Sequence, residues 1–267
     1  ICTSKGILKG MEVDDFSASS HANISRAPTA DVTLKDDFLQ ILRQEECQRI
    51  VVIDTANILC SSTPGYDSSN ESCRLNPAGL LSMVRFFVAN DFECLCICPF
   101  VYFKKSKHKF VLQKLRDLKL LEVPENFSFD DYTVINVANE CDGVVVSRDR
   151  FRDHVTSEWI NSARKKIINE QCVQPVFKFE LTKEHWGNWT RDMKHWLSNH
   201  TFSFDGDSRL LHAKFFSTPQ SHTHELAKAL REQWTRARRA KVLMELDELI
   251  EKLLPKLKEE VDSHTNL

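Results

Sequence analysis

Apolar residues along this chain fall into short runs separated by stretches of helical period. Residues 49–53, 94–98, 120–123, 143–147 and 175–179 are apolar runs of strand length. Between them, Pro77 at a helix start leads into Leu80, Leu81, Met83, Val84, Phe86 and Phe87 at helical spacing. Further helices are predicted over 109–118, over 130–139 with Val134, Ile135, Val137 and Ala138 inward, and over 155–169. Residues 36–43, with acids in the first turn, predict one more helix that opens the ordered part. Strands alternating with helices predict an α/β fold, a central, mainly parallel sheet with helices on both faces.

The two ends read differently. Residues 1–31 are polar, lack apolar periodicity and predict a mobile tail. An α/β unit spans 32–180, a connecting segment 181–221, and a helical extension 222–267. In the connecting segment Trp186, Trp189 and Trp196 sit among polar residues, and packing against the α/β core is the commoner role for such rings than stacking on bases. The extension carries Arg231, Arg236, Arg238, Arg239 and Lys241. A stripe of Leu243, Leu246, Leu249, Ile250, Leu253, Leu254 and Leu257 follows, interrupted by Pro255. Such a stripe must be buried, either on the chain's own core or on a partner helix, so a protein partner or self-association stays open.

Composition narrows the class. The length, 267 residues, allows one to two domains, and 42% hydrophobic with 28% charged residues is the balance of a soluble globular protein. A net charge of −2 supplies no overall pull towards nucleic acid, so such binding has to come from local basic patches. Of nine cysteines, Cys94, Cys96 and Cys98 alternate with apolar residues, which puts all three on one strand face as buried free thiols. Unpaired thiols fit the cytosol or nucleus, and a cytoplasmic protein is expected. No stretch approaches the roughly 18 apolar residues of a membrane span. Seven glycines without a dinucleotide or P-loop signature exclude those phosphate sites, and no G-x-S-x-G elbow occurs. Ala56 stands where an aspartyl-phosphate enzyme would carry its second acid.

The chemistry lies at the element ends. Val51-Val52-Ile53 ends in Asp54, with Asn57 three residues later, and Val144-Val145-Val146 leads through Ser147 and Arg148 to Asp149, with Asp153 beyond. Asp130 and Asp131 open a predicted helix. In an open parallel sheet the ligand site lies beyond the carboxyl ends of the strands, so Asp54 and Asp149 are expected to converge there. Carboxylates that meet repel unless a cation neutralises them, and hard oxygen donors suit Mg²⁺ or Mn²⁺. That outlines a phosphodiester-cleaving site, with Asp54, Asp131, Asp149 and Asp153 as expected metal ligands. Asp130 serves as N-cap or ligand, and Asn57 holds a water or phosphate oxygen or caps a helix. Ser147 and Thr55 either ligate, orient water or bond the local backbone. Asp142, beside Gly143 at the opposite strand end, is expected to be structural. Lys104, Lys105, Lys107 and Lys109 follow the 94–98 strand and are expected to contact phosphates.

The run VVIDTAN, then ESCR at 71–74, then DDYTVINVANECDGVVVSRDRFRD at 130–153, then Glu158-Trp159, resembles the NYN/PIN-like ribonuclease domain of the Regnase (MCP-induced protein) family over roughly residues 45–180. The resemblance implies a three-layer PIN-like fold and a metal-dependent endoribonuclease acting in mRNA decay or RNA silencing, in the cytoplasm or its RNA granules. It also implies that Asp54, Asn57, Asp130, Asp131, Asp149 and Asp153 occupy the catalytic positions. Two departures stand out: Thr55-Ala56 replaces the glycine-containing pair of those relatives, and 102–109 is similar to their basic-aromatic stretch in character but not in letter. No cysteine follows Cys172, so the C-terminal portion lacks the CCCH zinc finger that several relatives carry. The expected activity is cleavage of single-stranded or loop RNA by metal-activated water. The alternative is an RNA-binding or scaffold subunit of a silencing or decay complex.

Overall fold

The computed structural model describes residues 45–63, 69, 74–124, 130–155, 161–177, 202–204 and 206–264, with the side chains of 130, 154, 155 and 261–264 left aside. The expected tail at 1–31, the helix at 36–43, Glu71, Glu158, Trp159 and the three tryptophans at 186, 189 and 196 lie outside them.

In chain order the elements are β1 (Cys47–Gln48), β2 (Val51–Asp54), α1 (Thr55–Ser62), α2 (Ala78–Ala89), β3 (Cys94–Ile97), α3 (Phe100–Lys105), α4 (Lys109–Asp117) and β4 (Leu121–Glu122). They continue with α5 (Asp130–Cys141), β5 (Val144–Val146), α6 (Arg152–Val155), α7 (Ser162–Glu170), β6 (Cys172–Val173), β7 (Pro175–Phe177) and β8 (Phe202–Phe204). The chain closes with α8 (Ser208–Phe215), β9 (Phe216–Ser217), α9 (His224–Gln233) and α10 (Arg236–His264).

Five strands form one parallel sheet in the order β4-β3-β2-β5-β6. The chain moves outward from β2 to β4, then returns through α5 to β5 and moves outward the other way. This reversal makes the β2/β5 boundary a topological switch point. Because side chains alternate across a strand, Val51, Ile53, Cys94, Cys96, Val144 and Val146 enter the larger core beneath α1, α2 and α4. Val52, Leu95, Ile97 and Val145 enter the smaller core beneath α5 and α7. The three expected cysteines do share one face, buried and free.

Several predicted boundaries shift. Residues 175–177 do not extend the parallel sheet; they pair antiparallel with β8, and the fifth strand is Cys172–Val173. Helix α1 runs from the end of β2 to Ser62, and the basic segment after β3 begins as helix α3. Of the predicted 155–169 helix, the described residues form the end of α6 at Val155 and α7 from Ser162 onward; 156–160 lie outside them.

At the amino end of the sheet, Arg49 forms a buried ion pair with Asp142, whose other oxygen accepts Gln171 Nε2 at 2.9 Å. Ser217 Oγ donates to the same carboxylate at 3.1 Å, and Arg49 Nη1 reaches the Asp142 carbonyl at 3.2 Å. Asp142 adopts φ 51°, a left-handed helix exit that Asp tolerates. A Cβ on the neighbouring Gly143 would stand 2.9 Å from Val52 Cγ2 and 3.1 Å from the Ile50 carbonyl, so the tight entry into β5 requires glycine.

The C-terminal stripe is buried on the chain's own core. Leu246, Leu249, Ile250, Leu253 and Leu257 pack along α2 and α4, and Arg85 with Asp247 (2.5 Å) and Lys114 with Glu245 (2.5 Å) flank the seam. Pro255 lies within α10, which continues past it. Phe202, Phe204, Phe215 and Phe216 add a ring cluster against Phe87 and Phe92, with edge and tilted contacts of 5.6–6.4 Å. Among the described residues, no helix is long and apolar enough to cross a membrane.

Leu246→Glu combined with Leu253→Glu is expected to unfold the monomer, because two charges would enter a core in which both leucines are fully buried. Retention of the parent melting temperature would contradict that packing. Arg49→Leu is expected to lower unfolding free energy by about 3–5 kcal/mol in urea titrations, since it leaves Asp142 buried without its counter-ion. Arg85→Ala, which removes a partly exposed pair, should cost under about 1 kcal/mol.

Candidate active site

The parallel pairing of β2 with β5 sets Val51 beside Val144, Val52 beside Val145 and Ile53 beside Val146. The next step along each strand therefore brings Asp54 to Ser147. Ser147 Oγ donates to Asp54 Oδ2 at 2.7 Å and accepts the Asp149 N–H at 3.0 Å, so one buried hydroxyl links the two acids. Asp54 also caps α1, its Oδ1 accepting the Asn57 N–H at 3.2 Å. The Asn57 side chain spans to the opposite loop, where its Oδ1 accepts the Arg148 N–H at 2.8 Å.

The loop after β5 is held in shape by its own residues. Asp149 Oδ1 accepts the Phe151 N–H at 2.8 Å, and Phe151 is buried at φ 50°, a conformation costly for a bulky residue. The ring in the smaller core and the aspartate turn together hold that strained backbone in place.

Electrostatically, Asp54 is the unusual group. It is 3% exposed, and burial pushes its carboxyl up to about 6. The Ser147 and Asn57 hydrogen bonds pull it down, whereas the charges of Asp131 and Asp149 push it up. Asp131, half-buried in the first turn of α5, thus stands within electrostatic reach of Asp54, as does Asp149. Asp130 begins the same helix, and its side chain lies outside the described residues. Asp153 is exposed in the first turn of α6.

Thr55, fully buried, directs its hydroxyl to the Ile53 carbonyl at 3.5 Å. Ser147 does more than the sequence suggested, since it joins Asp54 to Asp149. The signal available in advance was its position one residue past an apolar strand. The role of the Arg148 backbone N–H had no such signal, because backbone donors carry no letter.

The basic segment is divided. Lys104 is exposed and lies over the Phe100 ring at 4.4 Å. Lys105 is half-buried, and its carbonyl accepts the Leu75 N–H at 3.2 Å. Lys107 pairs with Glu260 of α10 at 3.3 Å, while Lys109 is exposed at the start of α4. His108 shares Glu260 with Lys107, at 2.8 Å.

Among the described residues no three His, Cys, Asp or Glu side chains are grouped closely enough to hold a metal ion. The donor set around Asp54 still fits a hard divalent cation that keeps most of its water. Its oxygen groups are hard donors, Asp54 is buried, and the charges of Asp131 and Asp149 raise the affinity of Asp54 for a proton.

A comparison with curated proteins finds no match. A family model, the Zc3h12a-like ribonuclease NYN domain, matches residues 47–187, a stretch that contains the whole parallel sheet and Asp54, Asp130, Asp131, Asp149 and Asp153. With a doubly wound parallel sheet, buried Asp54 at its switch point and that match over just over half of the sequence, the chain belongs to the Zc3h12a-like ribonuclease NYN domain family.

Proposed function

We propose that this protein is a Mg²⁺- or Mn²⁺-dependent endoribonuclease that cuts single-stranded or loop RNA, with Asp54 as the central acid. The observation that carries the reading is the burial of Asp54 at the switch point, beside Asp131 and Asp149 and with its carboxyl held near 6. A carboxylate is retained in so unfavourable a place when a positive charge arrives to stabilise it.

Asp54, Asp131 and Asp149, with Asp130 and Asp153 nearby in sequence, would hold the ion directly or through its water. The ion supplies an activated water and charge stabilisation for in-line attack at phosphorus. Ser147 orients Asp54 and Asp149 relative to each other, and Asn57 fixes the loop that carries Asp149 through the Arg148 N–H. The products should carry a 5′-phosphate and a 3′-hydroxyl. The free buried thiols in the sheet fit a reducing compartment such as the cytoplasm, and a role there in mRNA decay or RNA silencing is part of the proposal.

Asp54→Asn keeps the side-chain shape and removes the charge. Cleavage of a labelled single-stranded RNA in Mg²⁺ or Mn²⁺ is expected to fall by roughly 100-fold or more, and a chelator should abolish parent cleavage. Parent-rate cleavage by the folded variant, or cleavage that persists in chelator, would refute the assignment. RNA binding without any cleavage by the parent would favour the scaffold role instead.

The same variant has a second readout in the metal-free protein. Because burial raises Asp54 from 3.8 to about 6, its contribution to stability is fully present below pH 4 and is lost as pH rises through 6. Asp54→Asn does not ionise and should therefore exceed the parent in stability at pH 7 by about 3 kcal/mol, an advantage mostly gone by pH 4. Denaturant titrations at the two pH values, in chelator, measure this; an unchanged difference would place the Asp54 carboxyl elsewhere.

A further inference from the structure

The loop that carries Asp149 has a second side, turned towards the β6 edge of the sheet. There Arg148, Arg150, Gln174 and Lys214 wall a cleft of about 490 Å³ over a floor that includes Cys172 and Leu211. Among the described residues, none that lines it is acidic.

The cations are positioned but not used up. Arg150 spends its Nε on Gln174 Oε1 at 3.3 Å, which leaves both terminal nitrogens of the guanidinium. Lys214 Nζ donates to the Cys172 carbonyl at 2.7 Å and has two further protons. Arg148 has an exposed side chain on a backbone held at both polar groups, its N–H by Asn57 and its carbonyl by Gln174 Nε2 at 3.5 Å. Two cationic side chains are therefore tethered and a third stands on a fixed backbone beside Asp149, on a chain whose net charge is −2.

The cleft adjoins the acid-bearing loop, because Arg148 and Arg150 flank Asp149 along the chain and the Arg148 N–H is held by Asn57. The Cys172 thiol in its floor is pushed up to about 12 by burial; Lys214 acts to lower it, and both Asp54 and Asp149 act to raise it. A strand whose scissile phosphate lies at Asp54 and Asp149 would set a neighbouring phosphate among Arg148, Arg150 and Lys214. The basic segment after β3 is on the other side of β2 and has Lys107 neutralised by Glu260.

We propose that this cleft binds the sugar-phosphate backbone of a single RNA strand next to the position of cleavage, with Arg148, Arg150 and Lys214 contacting its phosphates. The proposal rests on the ribonuclease reading of the acid cluster. The volume is that of a site for one drug-sized molecule, which suits a nucleotide or two of single strand and is too small for a duplex.

The test uses the full chain and a fluorescein-labelled oligouridine in chelator, so that binding is measured without cleavage. Arg150→Ala with Lys214→Ala is expected to weaken binding about 10-fold at low salt. It should also flatten the slope of log affinity against log salt by about 1.4, because each phosphate neutralised on a single strand adds about 0.7 to that slope. Arg148→Ala with Arg150→Ala should act in the same direction, and melting curves establish that both variants are folded. Parent affinity and slope in both folded variants would overturn the proposal, as would a duplex RNA that competes equally well. A weakening produced wholly by Lys104→Ala with Lys105→Ala would also overturn it by placing the RNA path on the other flank. Should the parent bind through the cleft yet fail to cut RNA in Mg²⁺ or Mn²⁺, the cleft stands and the catalytic reading of the acids falls.

Discussion

The parallel pairing of β2 with β5 is the constraint from which the site follows. Both strands are apolar on both faces and buried in two cores, so a slip of one residue would leave the apolar packing almost unchanged while moving Asp54 away from Ser147. Register must be set by something other than hydrophobicity. The polar ends of the strands provide it. Arg49 meets Asp142 at one end and Asp54 meets Ser147 at the other, so each end checks the alignment of the opposite one. A slipped register would bury one guanidinium and two carboxylates without partners, a penalty far above that of a shifted valine.

The same arrangement divides two kinds of buried charge. Asp142 is surrounded by donors from Arg49, Gln171 and Ser217, and every one of its contacts serves the fold. Among the described residues Asp54 has one hydroxyl and one backbone N–H for support, and the charges of Asp131 and Asp149 repel it. One acid is compensated from within the chain; the other depends on something brought from outside. Burial alone does not separate a structural carboxylate from a functional one, whereas the sign of the surrounding charge does.

Much of this was legible in the sequence. Apolar runs that end abruptly in Asp54 and near Asp149 reveal both the strands and the edge at which they meet, because a charge at the end of a buried strand must have a use. The helical spacing of Leu80 to Phe87 was equally clear. What escaped was set by contacts distant along the chain. Residues 175–177 look like a sheet strand, but Cys172–Val173 is the piece that pairs with β5, and only the β8 partner explains where Pro175 goes. The Arg148–Gln174–Lys214 cleft joins three separate segments, and no spacing rule connects them. The stripe in α10 was recognisable as a buried face, although its partner, α2, could be identified only from the fold.

The packing of α10 and β9 also bears on the order in which the molecule is made. β1 finds its partner at Phe216 and Ser217, and α2 is covered by leucines from 246 to 257, all of which leave the ribosome well after the five-stranded sheet. A nascent chain that has emerged only as far as residue 187 already contains the entire parallel sheet, yet it presents Leu80, Phe87 and Phe92 without their cover. Assembly of the nuclease unit is therefore a late event in synthesis, and a chaperone that shields aromatic surface would find its substrate in that interval.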